Sequence, residues 1–153
     1  MFKIQEETGY EVMLECLELG KRHYEEVYGY KSDYVPRQYN YNFLKICQEN
    51  GLMHFICARD DSGKLIGYFV DLVSPDMFSS EFYAKDMAIY VDEEYRKQGL
   101  FNEMLKAMED LLTKNGIMIH YLEFQEGHNE SMPLKFGYKK VASLYEKLLQ
   151  EDK

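Results

Sequence analysis

Val91 to Leu105 read V-D-E-E-Y-R-K-Q-G-L-F-N-E-M-L, with Arg96, Lys97 and Gln98 directly ahead of Gly99 where a polar loop runs into an apolar-faced helix. A helix N-terminus exposes N–H groups without partners inside the helix and carries about half a positive charge, so it attracts anions, phosphates above all. Gly99 lets a ligand approach the backbone closely and accepts dihedrals that a side chain forbids. The two cations add donors at the same spot. Together these residues read as a pyrophosphate cradle; the plainer alternative is a solvated basic loop capping an ordinary helix. The pattern is not G-x-x-x-x-G-K-[ST], which excludes an NTPase P-loop, and it lacks the G-x-G-x-x-G of a dinucleotide site. Asp86, in A-K-D-M-A-I, is a carboxylate inside an apolar run. Partial burial there raises a carboxyl pKa towards the range of a general base, unless the side chain faces solvent or pairs with Lys85 or Lys64. Glu123, in L-E-F, is a second such carboxylate, facing opposite to Leu122 and Phe124 by strand alternation.

The elements that must position these residues follow from periodicity. From Glu6 to about Tyr28 the apolar spacing is mostly helical, with Gly29 as a stop, and Tyr39 to Gln48 predicts a shorter helix. Met53 to Arg59 and Lys64 to Val73, joined by D-D-S-G-K, predict a β-hairpin. Phe82 to Val91 is a third strand and delivers the chain to the cradle. Leu100, Met104, Leu105, Met108, Leu111 and Leu112 share one helix face, ending near Asn115-Gly116. Ile117 to Phe124 is strand-like, Glu130 to Phe136 a short helical or irregular piece, and Y-K-K-V-A-S-L-Y-E-K-L-L a last strand. The order predicts a single mixed α/β domain over residues 1–153.

Bulk composition narrows the function classes. The 153 residues are enough to bury one core. A net charge of -9 argues against nucleic acid as the main partner and suits a cationic acceptor such as an amine. Cys16, Cys47 and Cys57 lack metal-type spacing and read as free thiols. His120 and His128, taken with Glu123 or Glu126, match no standard metal site. No apolar run reaches the roughly 20 residues of a membrane span. The N-terminus lacks a signal peptide's apolar stretch, so a cytoplasmic location is expected.

The run V-x-x-x-Y-R-x-Q-G-L, after an apolar strand and before a Met/Leu-faced helix, resembles the acyl-CoA-binding motif of the GNAT superfamily of N-acyltransferases. Val91, Tyr95, Arg96, Gly99 and Leu100 match the motif, and the element order through Gly137-Tyr138 is similar to the superfamily's. The look is closest to small acetyltransferases encoded by phages and prophages, in which an Asp sits early in the strand before the motif. The resemblance implies a central, mostly antiparallel sheet, splayed at the acyl-CoA site and flanked by helices. It implies acetyl-CoA as co-substrate and direct attack by an amine: a small molecule, a polyamine, or a protein lysine or N-terminus. Arg96, Lys97, Gln98, Gly99, Leu100 and Phe101 would hold the pyrophosphate. Ile89, Tyr90 and Val91 would pair with the pantetheine arm and polarise the thioester carbonyl through the backbone, and Asn129, beside His128, would touch the same arm.

Asp86 is then the first candidate for general base and Glu123 the second. Two departures stand out. Phe101 replaces a small residue, so its ring either crowds the pyrophosphate or turns into the core. Pro133 stands where a tyrosine often serves as general acid, leaving Tyr145, Tyr121 or Ser131 as substitutes, or thiolate release to water. A homodimer is compatible with the fold. The rival class is a binding protein on the same fold that holds acyl-CoA without turnover or engages a basic partner.

Overall fold

The computed structural model describes residues 1–29, 40–124, 131–147 and 149. Its elements are β1 (Lys3–Glu6), α1 (Tyr10–Tyr28), α2 (Tyr41–Glu49), β2 (Met53–Arg59), β3 (Leu65–Pro75), β4 (Phe82–Val91), α3 (Leu100–Lys114), β5 (Ile119–Tyr121) and α4 (Ser131–Lys135). The strands form one sheet in the order β1-β2-β3-β4-β5. The first three pairings are antiparallel and the last, β4 with β5, is parallel. This is the mixed α/β architecture expected.

Both sheet faces are covered, which is why β2 and β3 read as near-continuous apolar runs. Leu100, Met104, Leu105, Met108 and Leu112 of α3 seal one face against Ile56, Ile66 and Phe69. Met13 and Cys16 of α1 and Cys47 of α2 seal the other against Phe55, Cys57 and Val70. The hairpin turns on Asp60, whose Oδ1 accepts from the Ser62 and Lys64 N–H groups at 2.9 and 3.1 Å.

One irregularity decides the chemistry of β4. Val70 lies opposite Ala88 and Asp71 opposite Asp86, so Met87 is an extra residue and β4 carries a bulge there. Before the bulge, Ala84 packs on the α3 face; after it, Ile89 and Val91 do, while Ala88 and Tyr90 face α1. Asp71, between Phe69 and Val73, shares the α3 face with Asp86.

Three sequence expectations are corrected. The first helix starts at Tyr10 rather than Glu6, because Lys3–Glu6 forms an edge strand whose mostly exposed, polar residues hide its pairing with β2. The strand expected over Ile117 to Phe124 shrinks to Ile119–Tyr121, because its neighbour diverges from it beyond Lys85. The last strand is not found among the described residues: 138–147 pair with no described strand, and Val141, Leu144 and Tyr145 are 63%, 74% and 90% exposed. Their spacing puts no apolar row on one face, and three-residue β5 offers too short an edge to template another strand. No helix among the described residues is long and apolar enough to cross a membrane.

Candidate active site

The chain leaves β4 at Val91, makes a 3-10 turn over Glu93–Tyr95 and enters α3 through Lys97 at φ 65° and Gly99 at φ 81°. Gly99 is the N-cap of α3 and offers no side chain to cap it. The first bond inside the helix runs from the Glu103 N–H to the Gly99 carbonyl at 3.2 Å, so the N–H groups ahead of Glu103 have no partner within the helix. A Cβ placed on Gly99 meets no atom within 4 Å, so the backbone is open to a close-lying group. Lys97 and Gln98 are exposed beside it. Leu100 sends its side chain into the core and can offer only its backbone. Phe101 turns away as well: its ring lies 6.4 Å from each of Phe69, Phe124 and Phe136. The bulky residue at the small-residue position therefore leaves the cradle clear.

Arg96 does something the motif did not predict. Its Nε donates to the Val91 carbonyl at 2.9 Å and its Nη2 to Glu26 Oε2 at 2.7 Å, with the guanidinium carbon 5.3 Å from the centre of the Tyr90 ring. The Tyr90 hydroxyl donates to the same Glu26 oxygen at 3.1 Å. His23 stacks on Tyr90 at 5.0 Å, and its Nδ1 lies 2.7 Å from the Tyr68 hydroxyl. Burial pushes His23 down to about 4, so the ring is neutral at physiological pH. The Arg96 guanidinium in turn holds the Glu26 carboxyl below its usual range. Arg96 is thus a strap between the cradle loop and α1, with its Nε and Nη2 engaged by protein groups. Because both partners are more than a third exposed, screening keeps the strap modest. We expect Arg96→Ala to lower unfolding free energy by about 1 kcal/mol in a urea titration, a loss visible without any ligand.

The third part of the site is a wedge. On one side Ile89, Tyr90 and Val91 pair with Phe69, Tyr68 and Gly67 of β3. On the other side β5 reaches only Tyr83, Ala84 and Lys85, so among the described residues no strand adjoins that edge of Ile89–Val91. Asp86 stands at the apex, where its Oδ1 accepts the Glu123 N–H at 2.6 Å in place of a ladder bond. Burial pushes the Asp86 carboxyl up to about 7, and the Asp71 and Glu123 carboxylates add to the rise, while the Glu123 N–H and His120 oppose it.

The other sequence candidates fare differently. Glu123 does meet Asp86, but through its backbone; its carboxylate is exposed and paired with Lys85 at 2.5 Å. Tyr145 is 90% exposed on the tail that follows α4. Tyr121 packs edge-on to Tyr83 at 5.4 Å, and Ser131 opens α4 at the surface. Asn129 and His128 lie outside the described residues. A thiol nucleophile has no place here: all three cysteines are buried and free, and the Cys16 thiol is pushed well up by Cys57 and by burial.

Sequence reasoning missed Asp71 and Glu26. A lone carboxylate in the apolar run F-V-D-L-V carries the same signal that singled out Asp86. Glu26 carries none, because its importance depends on Arg96, 70 residues away.

The family model described as the acetyltransferase (GNAT) family matches residues 13–138. No curated protein matches the chain significantly. Among solved structures, an aminoglycoside acetyltransferase from an uncultured soil metagenomic sample, in complex with sisomicin, is similar at 17% identity and a TM-score of 0.70 over 96% of each chain. A ribosomal-protein-alanine N-acetyltransferase from Brucella melitensis biovar Abortus 2308 shares 14% identity at a TM-score of 0.73, over 100% of this chain and 99% of that one. A predicted acetyltransferase with acetyl-CoA, from Clostridium acetobutylicum, shares 13% at 0.74 over 97% of each. At these identities the likeness is one of fold.

Proposed function

The chain belongs to the acetyltransferase (GNAT) family, and from that membership we propose that it moves an acetyl group from acetyl-CoA to a primary amine by direct attack. The observation that carries this reading is the wedge. A half-buried carboxyl sits at its apex, a strand edge with no neighbour among the described residues runs from it, and that edge leads to an open, uncapped helix N-terminus.

Each part has a task. The backbone N–H groups at the start of α3, with Lys97 beside them, receive the pyrophosphate. The open edge of Ile89–Val91 pairs with the pantetheine arm and points a backbone donor at the thioester carbonyl, where negative charge develops during attack. A lysine-type amine holds its proton until about pH 10.4, so reaching the neutral form at pH 7 costs roughly 4 to 5 kcal/mol. Asp86, held near neutrality, is suited to take that proton. The leaving thiolate, with a pKa near 8.5, can depart without a side-chain acid. The acidic net charge favours a cationic acceptor.

Calorimetry with acetyl-CoA tests the reading first. We expect binding in the micromolar range, about -8 kcal/mol. Release of CoA thiol is then followed with spermidine, sisomicin and a peptide beginning with alanine as acceptors. Well-folded protein that binds no acetyl-CoA would sink the reading.

A further inference from the structure

Glu123 is held to β4 from both faces of the sheet. Its N–H donates to Asp86 Oδ1 at 2.6 Å, on the α3 face. Its carboxylate meets Lys85 Nζ at 2.5 Å, and strand alternation puts Lys85 on the opposite face. The ladder between β4 and β5 ends with Lys85 opposite Tyr121, so these two contacts clasp the chain where the ladder leaves off. Lys85 and Glu123 are both more than a third exposed, so their ion pair adds little, and the bond to Asp86 is the working part. Just beyond, Phe124 rests its ring on Phe101 at 6.4 Å, and Leu122 packs on the α3 core. The segment leaving β5 is thus pinned at the wedge apex by the clasp, and past it by Phe101, the bulky residue that stands where the motif has a small one.

The apex is polar as well as closed. Fully buried Asp71 lies opposite Asp86 in the ladder, and its Oδ2 is 2.9 Å from His120 Nε2. On the far side of that ring, Nδ1 lies 2.7 Å from the Tyr138 hydroxyl. An apolar chain driven into this corner would have to part Asp86 from the Glu123 N–H. With the chain filling the wedge, no water could take the vacated place, and a donor left without a partner costs its full desolvation. The methylenes would also meet carboxyl groups instead of the apolar lining that rewards them.

We infer that the Asp86–Glu123 clasp is the end stop of the acyl channel, admitting acetyl and refusing a chain as long as hexanoyl. The inference rests on the acetyltransferase reading for the course of the pantetheine arm, along the open edge from Val91 to Ile89. The end of that edge and the clasp are close. Ile89 and Asp86 lie opposite Phe69 and Asp71, only two residues apart on β3, so the bulge at Met87 shortens the interval to roughly 7 Å. The thioester carbonyl and its methyl group fill most of it, and a longer chain meets the clasp. Asp86 thereby has a specificity task separable from proton transfer. Accepting the Glu123 N–H requires an oxygen, and that oxygen need not be basic.

Calorimetry on the full chain with acetyl-CoA and hexanoyl-CoA tests the end stop without turnover. Apolar burial alone would make the longer thioester bind more tightly. The clasp reverses that order: we expect wild type to bind hexanoyl-CoA at least about tenfold more weakly, within what a misplaced methylene costs in a closed pocket. Asp86→Asn keeps an acceptor for the Glu123 N–H and should keep the preference. Asp86→Ala removes the acceptor and should bring the two thioesters within about threefold, or favour hexanoyl-CoA. Amide hydrogen exchange reads the clasp itself, with no ligand. The Glu123 N–H should exchange about tenfold faster in Asp86→Ala than in wild type, and at close to the wild-type rate in Asp86→Asn. Wild type that binds hexanoyl-CoA as tightly as acetyl-CoA overturns the inference. So does an Asp86→Ala protein that keeps the preference, or an Asp86→Asn protein that loses it. Should Asp86→Ala misfold, the wild-type order and the asparagine protein decide. Protein that binds neither thioester overturns the acetyltransferase reading and the end stop with it, whereas binding without preference overturns the end stop alone.

Discussion

Asp86→Asn is expected to abolish most acetyl transfer while making the protein more stable at alkaline pH. The two effects have one cause. A carboxyl held near 7 by burial is ionised at pH 8 at a cost in folding free energy, and that ionised form is the one that accepts the amine's proton. Asparagine keeps an oxygen for the Glu123 N–H, so the wedge apex survives, but it cannot take a proton. The rate should fall by roughly 10²- to 10⁴-fold with acetyl-CoA affinity little changed. The sign of the stability effect follows from linkage. The unfolded carboxyl ionises near its ordinary value of 3.8, whereas the folded one holds its proton until about 7. Wild type therefore loses stability as pH rises from about 4 to 7, and stays at that lower level above 7. The asparagine protein does not titrate there. The two proteins should match below about pH 4 and differ by about 1–3 kcal/mol at pH 9, the variant being the more stable. Urea titrations at pH 3.5, 6 and 9 check this. A variant that is active, or less stable at pH 9, would remove Asp86 from the mechanism.

Gly99→Asp is expected to weaken acetyl-CoA binding about 100-fold, close to 3 kcal/mol, while leaving the protein folded. A Cβ there meets no atom within 4 Å in the folded chain, so the side chain starts out into open space. The left-handed dihedrals of Gly99 cost another residue about 1 kcal/mol of stability, less for aspartate than for most. The loss of binding has two sources. The added atoms occupy the space through which a phosphate would reach the backbone, and the added negative charge repels it. Gly99→Ala separates them: it keeps the first and lacks the second, and should weaken binding by about tenfold. Only the aspartate protein should recover affinity with added salt relative to the alanine one, because salt screens charge and not bulk. Unaltered binding by Gly99→Asp would place the phosphates elsewhere.

Which parts of this were legible in the sequence depended on whether the cause was local. The hairpin of β2 and β3 and the helix α3 announced themselves by periodicity, since burial on a fixed face imposes it. Gly99 and Asp86 were legible for a related reason: each is an exception to its surroundings, a glycine at a strand-to-helix turn and a carboxylate among apolar residues. Lys3–Glu6 was not, because a short polar edge strand has no periodic burial to betray it. The tail around Val141 and Tyr145 was misread because strand propensity says nothing about whether an edge exists to pair with. The strap from Arg96 was not legible, because its partner, Glu26, is fixed only by the packing of α1 on the sheet. His120 was weighed only as a metal ligand, since its link to Asp71 and Tyr138 requires three separate segments to meet.

The extra residue at Met87 acts as a frameshift in the alternation of β4. Upstream of it even-numbered positions look towards α3; downstream, odd-numbered ones do. A shortened chain lacking Met87 would restore a single reading frame, and every side chain on one side of the cut would change neighbours at once. Either Tyr90 would leave His23 and Glu26, or Asp86 would leave Asp71. The inserted residue is thus what allows one strand to serve an ionisable cluster on one face and the anchor for α1 on the other, and any comparison of this strand between proteins must be phased separately before and after it.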